Sequence, residues 1–143
     1  MLLRFLSRWN ICAIALASLV CLGCGGSKHP PTYPVTGTVT YKSQPVAGAQ
    51  VMFISTAGPA AEGTTGADGK FSLTTFKPGD GAIGGEHKIT IVKMETAAST
   101  DPNNPYGTAK SVLPPRYGNP AQTPLKENVG TSKNEFKFEL TDG

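Results

Sequence analysis

The stretch "TTGADGKFSLTTF", residues 64–76, carries the clearest local structural signal in this chain. Asp68 and Gly69 are followed by Phe71 and Leu73, which alternate with polar residues. Asp and Gly tolerate the positive φ angles that a tight reversal between two twisted strands requires. The stretch therefore predicts a β-hairpin, and its period of two predicts that one face of the second strand is buried.

The same alternation occurs on both sides of this hairpin. It is found in "VTGTVTY" (35–41), "EHKITIVKM" (86–94) and "NEFKFEL" (134–140), whereas "AQVMFIS" (49–55) is apolar on both faces. A strand that is apolar on both faces is typical of the centre of a sheet. The C-terminal strand is expected to turn its apolar residues inward, and these are Phe136, Phe138 and Leu140.

Two further strands are predicted near 62–67 and 125–129, and no helical stripe longer than one turn follows the first 23 residues. The 143 residues include 17 glycines and 12 prolines, and only 16% are charged. This composition suits many short strands joined by turns. We predict an all-β fold, a single antiparallel β-sandwich of about seven strands over 35–143.

The N-terminus has the pattern of an export signal. Arg4 and Arg8 precede residues 11–22, which carry no charge and are too few for the roughly 18 apolar residues of a membrane-spanning helix. Once these two arginines are set aside, the 13 basic residues become 11, against 10 acidic ones. The remaining near-neutral chain has no basic cluster, which argues against nucleic acid as a partner.

The three cysteines divide at the end of this apolar run. Cys12 and Cys21 lie inside it, and Cys24 stands in "LGCGG" (22–26) directly after it. This pattern resembles the lipobox of bacterial lipoproteins, although Cys21 occupies a position where that family usually has an aliphatic residue. The resemblance implies that the chain is cut after Gly23, that the Cys24 thiol receives a diacylglyceryl group, and that the new amine is acylated with palmitate-type chains.

The resemblance gives three segments: a lipoprotein signal peptide at 1–23, a lipidated tether at 24–34 and the β-sandwich at 35–143. It implies an exported protein that a lipid holds to a membrane without crossing it. Gly26 stands where an aspartate would favour the inner membrane in some of these bacteria, so the outer membrane or cell surface is preferred. The alternative is an ordinary signal peptide that leaves Cys24 as a free thiol.

The β-rich part has a resemblance of its own. The segments "VTGTVTYKSQPVAGAQVMF" (35–53), "TTGADGKFSLTTF" (64–76) and "GGEHKITI" (84–91) resemble the carboxypeptidase regulatory-like domains. The resemblance implies a transthyretin-like, or prealbumin-like, β-sandwich of about seven strands. It implies no catalytic residue, because the peptidase machinery is absent and the shared motifs are turns and strand entries.

Few side chains suit catalysis. His87 is the only histidine after residue 34, and its strand face also carries Ile89 and Ile91. We expect it to be half-buried or at the rim of the sandwich. Nucleophilic catalysis needs a base that a third group orients beside the nucleophile. We therefore predict no enzyme activity and no cofactor, and a hydrolase that uses His87 is the weakest hypothesis.

Calcium binding is a second alternative. Four acidic residues lie in or beside loops, where Ca²⁺ finds carboxylate and carbonyl oxygens. These residues are Glu62, Asp68, Asp80 and Glu86. The sequence lacks a dense spacing of aspartates, and turn chemistry accounts for both Asp-Gly pairs. We predict no metal site.

Residues 95–124 contain six prolines and almost no apolar periodicity, which predicts a long proline-rich loop. Within it, "LPPRY" places Leu113, Arg116 and Tyr117 beside two prolines that favour an extended backbone, a shape that peptide-binding grooves accept. These three residues are the predicted partner-binding site. The alternative is a flexible loop, or one that covers a sheet edge.

Together these patterns predict a lipid-anchored module of the cell envelope that binds or supports another component and catalyses no reaction. Its expected partners are the membrane, through the N-terminal lipid, and an envelope protein or glycan. The alternative from another class is a carbohydrate- or calcium-binding module, for which Tyr106 and Tyr117 are the aromatic candidates to stack on a sugar.

Overall fold

The structure is a computed structural model, and it describes residues 29–98 and 107–142. The signal peptide at 1–23, Cys24 and Tyr106 therefore lie outside the described residues. Within them the chain is almost entirely β, as predicted. The strands are β1 (Thr32–Tyr33), β2 (Val35–Tyr41), β3 (Gln44–Pro45), β4 (Gln50–Ile54), β5 (Ala61–Thr64), β6 (Lys70–Ser72), β7 (Ala82–Ile83), β8 (Gly85–Val92), β9 (Met94–Ala97), β10 (Thr108–Ser111), β11 (Lys126–Val129) and β12 (Asn134–Leu140), with one helical turn, α1 (Pro115–Gly118).

Two main sheets form the sandwich. One has the strand order β11-β8-β4-β5, so β4 is central, as its two apolar faces predict. In the other, β12 pairs with one side of β2, and β3 and β6 pair with the other side. Apart from the two-residue β3, seven strands make up these sheets, in agreement with the prediction of about seven.

The core lies between the two sheets and centres on aromatic rings. Phe53 of β4 is fully buried, and its ring centroid lies 6.4 Å from that of Phe71, 5.8 Å from Phe136 and 6.1 Å from Phe138. Phe71 belongs to β6 and the other two to β12, so one ring of the first sheet contacts two strands of the second. Aromatic pairs at these separations contribute about 1 kcal/mol each beyond their buried area.

The predicted hairpin at Asp68-Gly69 is present. The Gly66 N–H donates to the Lys70 carbonyl at 2.8 Å, and Gly69 has φ +75°. A Cβ at Gly69 would lie 2.6 Å from the Val39 carbonyl oxygen, so both the turn and its close approach to β2 require glycine. The two strands of the hairpin belong to different sheets, because β5 pairs with β4 and β6 pairs with β2. The hairpin therefore joins the two sheets at one edge.

One strand pair differs from the predicted antiparallel arrangement. β12 runs parallel to β2 over seven residues, from Asn134 opposite Val35 to Leu140 opposite Tyr41. The preceding strand β11 belongs to the other sheet, so residues 130–133 cross from one sheet to the other before β12 begins. Alternation in the sequence determines which face is buried, but not the direction of the neighbouring strand.

The folded part begins earlier than the predicted boundary at 35. Thr32 and Tyr33 pair with β7, and the His29 ring stacks on Phe76 with 4.2 Å between centroids. A Cβ at Gly81 would lie 1.8 Å from the Tyr33 carbonyl oxygen, so β1 fits only beside a glycine. Residues 29–34 of the predicted tether therefore lie against the sandwich.

The predicted loop at 95–124 also contains regular structure. β9 and β10 form an antiparallel pair, with Met94 opposite Ser111 and Ala97 opposite Thr108. Nearly all of their residues are exposed, so no buried face produces the periodicity that reveals a strand in sequence. The four-residue α1 follows. Within the described residues no helix has the length and apolar character needed to cross a bilayer.

Candidate functional site

The segment "LPPRY" folds onto the sandwich. Leu113 is 3% exposed and Tyr117 is 4% exposed, and both belong to the core. α1 starts at Pro115, where the fixed φ of proline suits a first helical turn. The Tyr117 N–H donates to the Pro114 carbonyl at 3.1 Å, and this turn directs the Tyr117 ring inward.

The Tyr117 hydroxyl bonds to the backbone just past the end of β12. It donates to the Thr141 carbonyl and accepts from the Thr141 N–H, both at 3.2 Å. Arg116 Nη2 donates to the same hydroxyl at 3.0 Å and to the Thr141 carbonyl at 2.6 Å. We call Arg116, Tyr117 and Thr141 the strand-end cap.

The strand-end cap has its own electrostatics. Burial alone would raise the pKa of Tyr117, but the hydrogen bonds from Thr141 and Arg116 favour the ionised phenol and bring its pKa below the usual value. The Arg116 guanidinium lies 4.8 Å from the centre of the Tyr117 ring, within the range of a cation–π contact. The positive charge of Arg116 thus interacts with groups of the same chain.

The structure brings the predicted partner-binding residues together, but only Arg116 keeps part of its side chain at the surface. Leu113 and Tyr117 hold the segment on the core instead. Whether the segment binds a partner stays a prediction. Tyr117 cannot stack on a sugar in this conformation, because its ring is covered. Thr141, which completes the cap, was not predicted, since a lone threonine after a strand carries no pattern.

A second polar cluster lies near the same strand ends at the surface. Asp142 forms an ion pair with Lys42 at 2.6 Å and accepts a hydrogen bond from the Tyr41 hydroxyl. Lys42 lowers the pKa of Asp142, while the hydrogen bonds to Asp142 raise the pKa values of Tyr41 and Lys42. All three groups are solvated, so water and salt screen these interactions.

His87 lies deeper than predicted. It is 1% exposed, and its ring lies 5.7 Å from that of Phe53. Its Nε2 is 2.7 Å from the Ile83 carbonyl oxygen. A carbonyl only accepts, so Nε2 carries the proton in this tautomer. The prediction of a half-buried or rim histidine is wrong, because its strand face packs against the opposite sheet.

The four acidic calcium candidates do not come together. Among the described residues no group of three or more His, Cys, Asp or Glu side chains is placed to hold a metal ion. The Asp80 carboxylate accepts backbone N–H bonds from Thr75 at 2.7 Å and from Phe76 and Lys77 at 3.0 Å. Burial alone would raise its pKa, but these donors bring the pKa below its usual value. Asp80 therefore organises its own loop.

A shallow groove of about 490 Å³ lies over β2, β6 and the start of β12. Its polar lining consists of hydroxyl and charged side chains, namely Thr36, Thr38, Thr64, Lys70, Ser72, Lys133 and Glu135. Thr36 and Thr38 come from the face of β2 opposite its buried valines, and Thr64 is the last residue of β5. The alternation in "VTGTVTY" contains the signal for this row, but a solvated strand face gives the same pattern.

Comparisons with known proteins leave the family open. No family model matches the chain, and no curated protein matches it. A DUF3823 family protein from Parabacteroides merdae has a TM-score of 0.40 and 16% identity, over 78% of this chain and 47% of that one. This chain thus spans about half the length of that protein.

Two further solved structures are similar at the same low level. A 9R-lipoxygenase from Cyanothece has a TM-score of 0.37 and 16% identity, over 92% of this chain and 20% of that one. The dioxygenase domain of a dioxygenase carbohydrate-binding protein fusion from Streptomyces has a TM-score of 0.37 and 20% identity, over 82% and 84%. At these scores nothing about the activity of this chain follows from the three proteins.

The strand-end cap predicts different effects for two tyrosine substitutions. Tyr117→Phe keeps the buried ring and removes a buried hydroxyl with three partners, so we expect the free energy of unfolding to fall by about 1–2 kcal/mol. Tyr41→Phe removes an exposed hydroxyl and serves as the matched control, with a smaller effect. Urea denaturation measures both. An equal or larger loss for Tyr41→Phe would contradict the role of the cap.

The Asp80 loop predicts a pH-dependent effect. Asp80→Asn removes the negative charge to which three backbone N–H groups donate. We expect the free energy of unfolding to fall by about 1 kcal/mol at neutral pH, and not by more, because solvent partly screens this carboxylate. The pKa of Asp80 is lower in the folded chain than in the unfolded chain, where it is about 3.9, so the ionised carboxylate stabilises the fold when the pH is above that value. This contribution disappears as the pH falls through the folded pKa. The difference from wild type should therefore shrink below about pH 4.

Asp68→Asn is the control for this measurement, because the exposed Asp68 also accepts a backbone N–H in a turn, from Lys70. We expect a smaller difference at neutral pH. A pH-independent deficit for Asp80→Asn would show that shape, rather than charge, holds the loop.

Proposed function

We propose that this chain is an exported protein that a lipid on Cys24 attaches to a bacterial membrane, preferably the outer one. Its sandwich there acts as a non-catalytic module that binds or supports another envelope component. It is a lipoprotein whose domain is of the carboxypeptidase regulatory-like type. In this proposal the lipid, rather than a membrane-spanning helix, holds the protein at the membrane.

One observation carries the non-catalytic part. Three of the side chains that the sequence offers for chemistry are engaged within the fold: His87 with Ile83, Asp80 with its loop, and Tyr117 with Thr141. A general base must reach the proton that it removes, and His87 is buried beside the ring of Phe53. The surface of the described residues includes an open sheet face and a strand edge, which suit binding or support.

The pattern at 11–26 supports the anchor. Each buried methylene contributes about 0.8 kcal/mol, and two or more acyl chains hold a protein at a bilayer stably where one does so only marginally. A thiol that stayed unmodified after cleavage would be left unpaired in an oxidising compartment. Residues 25–28 would then be the link between the lipid and the part that packs on the sandwich at His29.

The anchor is tested by two cysteine substitutions in the full chain. With an alkyne-tagged palmitate in the growth medium, the wild type and Cys12→Ser are expected to be labelled and to fractionate with membranes. Cys24→Ser is expected to lose the label completely, because the acceptor sulfur is gone. Cys12→Ser is the matched control, since it changes a leader cysteine that the lipid does not use.

Two results would end this proposal: label on Cys24→Ser, or a wild-type product in the periplasmic fluid with an unmodified thiol. Mass spectrometry of the N-terminal peptide distinguishes them.

A second candidate function is glycan binding, which the hydroxyl-lined groove favours. Thr36, Thr38 and Ser72 offer donors and acceptors that match those of a sugar. A rise in melting temperature that follows the concentration of added envelope glycans, and that Thr38→Val abolishes, would favour this function. Thr108→Val, which changes an exposed threonine on β10, is the control. No shift would leave the groove as solvated sheet surface.

A further inference from the structure

β12 is the edge strand of the second sheet. Its seven residues pair with β2 on one side, and the described part of the chain places no strand on the other. The Asn134 N–H bonds to Pro34 and the Leu140 carbonyl accepts from Lys42. Backbone groups alternate sides along a strand, so Glu135, Lys137 and Glu139 direct theirs toward the free side.

The strand-end cap limits this free edge at one end. Thr141 has the same parity as Glu139, and its N–H and carbonyl are already bonded to Tyr117 and Arg116. The open stretch therefore ends before Thr141. An edge with open backbone groups is a template for another strand, and proteins control which strands can use it through the side chains that they place there.

The exposed side chains of this edge alternate in sign. Lys133, Glu135, Lys137 and Glu139 are all exposed, and none takes part in the ion pairs found among the described residues. Their neighbours on β2 are threonines: Thr36 beside Glu135, Thr38 beside Lys137 and Thr40 beside Glu139. The sandwich itself thus supplies no partner in the sheet for this row of charges.

We propose that two copies of this chain pair through β12, in an antiparallel arrangement with Phe136 on the twofold axis. In this register Glu135 lies opposite Lys137 of the second copy, and Lys133 lies opposite Glu139. The twofold axis repeats both pairs, so each charge of the row lies opposite a residue of opposite charge.

The backbone of the row also suits this register. The facing charged residues are those that direct their backbone groups outward, so each can exchange two hydrogen bonds with the residue it faces. Phe136, only partly buried in one copy, meets its own symmetry mate.

The charges and the strand-end cap disfavour the neighbouring arrangements. With Lys137 on the axis, Lys137 faces itself and Glu135 faces Glu139. With Phe138 on the axis, Lys137 faces Glu139, but Glu135 then faces Thr141, whose backbone groups are occupied by the cap. Parallel strands in register place every charge opposite its own kind. Like charges directly opposite are destabilising, so the charges and the cap together disfavour these three arrangements and leave the closed dimer with Phe136 on its axis.

Charge reversal with rescue tests the pairing. Two copies of the full chain with different C-terminal tags are co-expressed and extracted in mild detergent, and co-purification and native mass spectrometry measure the dimer. Lys137→Glu in both copies places like charges opposite each other in all three antiparallel registers. We expect the dissociation constant to rise about tenfold or more. Glu135→Lys in both copies is expected to weaken the dimer as well.

The decisive arm mixes the two variants. A copy with Glu135→Lys and a copy with Lys137→Glu again place opposite charges at every position, so we expect the mixed dimer to return to wild-type affinity. Lys126→Glu on the other edge strand, β11, is the matched control and is expected to leave the dimer unchanged. Circular dichroism checks that each variant is folded.

The register has an independent readout. Phe136→Cys places two thiols at the axis, where Cα atoms of facing residues lie about 4.5 Å apart, within disulfide reach. Lys137→Cys is the control, because its symmetry mate lies two residues along the strand, beyond about 7 Å. We expect a cross-link at 136 only, located by mass spectrometry.

Three outcomes would overturn the proposal. One is a wild-type chain that stays monomeric at every concentration, and another is a dimer that Lys126→Glu abolishes and Lys137→Glu does not. The third is a monomer whose β12 amides gain protection from hydrogen exchange only in an envelope extract, which would assign the edge to a strand of another protein.

Discussion

The contact of the Phe53 ring with aromatic side chains of both sheets is the interaction on which the rest of this structure depends. On its own sheet the ring meets His87, and across the sandwich it meets Phe71, Phe136 and Phe138. A domain of this size has one core and little stability to spare, so a ring that touches strands of both sheets decides whether they stay together. The burial of His87 follows from the same packing, because its side of β8 faces this cluster.

The strand-end cap and the free edge of β12 are two consequences of that packing. Phe136 and Phe138 hold β12 against the core, and its last backbone groups then lie where Tyr117 and Arg116 reach Thr141. A segment that looks like a peptide ligand in sequence thus closes one end of a strand. The open stretch before Thr141 carries alternating charges, which restrict the strands that can join it.

The parts of the fold that depend on burial follow from the sequence. Alternation located β2, β8 and β12, the Asp-Gly pair located the hairpin, and the apolar run of β4, with its two apolar faces, put that strand at the centre of its sheet. The parallel direction of β12 could not follow, because period-two alternation is the same in parallel and antiparallel pairs. The exposed β9–β10 pair left no apolar pattern to detect.

The candidate site was less predictable for a similar reason. The prolines of "LPPRY" predict an extended segment that a partner could bind, whereas the burial of Leu113 and Tyr117 depends on core contacts that form only when the sheets fold. The partner of the cap, Thr141, lies 24 residues from Tyr117 in sequence. His87 was expected near the rim, since one histidine among isoleucines does not reveal how far the opposite sheet extends over it.

The most direct test of this account is the free energy of unfolding of Phe53→Ala, followed by far-ultraviolet and aromatic circular dichroism in urea. If this ring joins the sheets, the loss is about 3–5 kcal/mol, both signals change in one transition, and Val112→Ala at the surface changes little. A loss below about 1 kcal/mol, or aromatic and backbone signals that separate into two transitions, would contradict the claim that one aromatic contact holds the sandwich together.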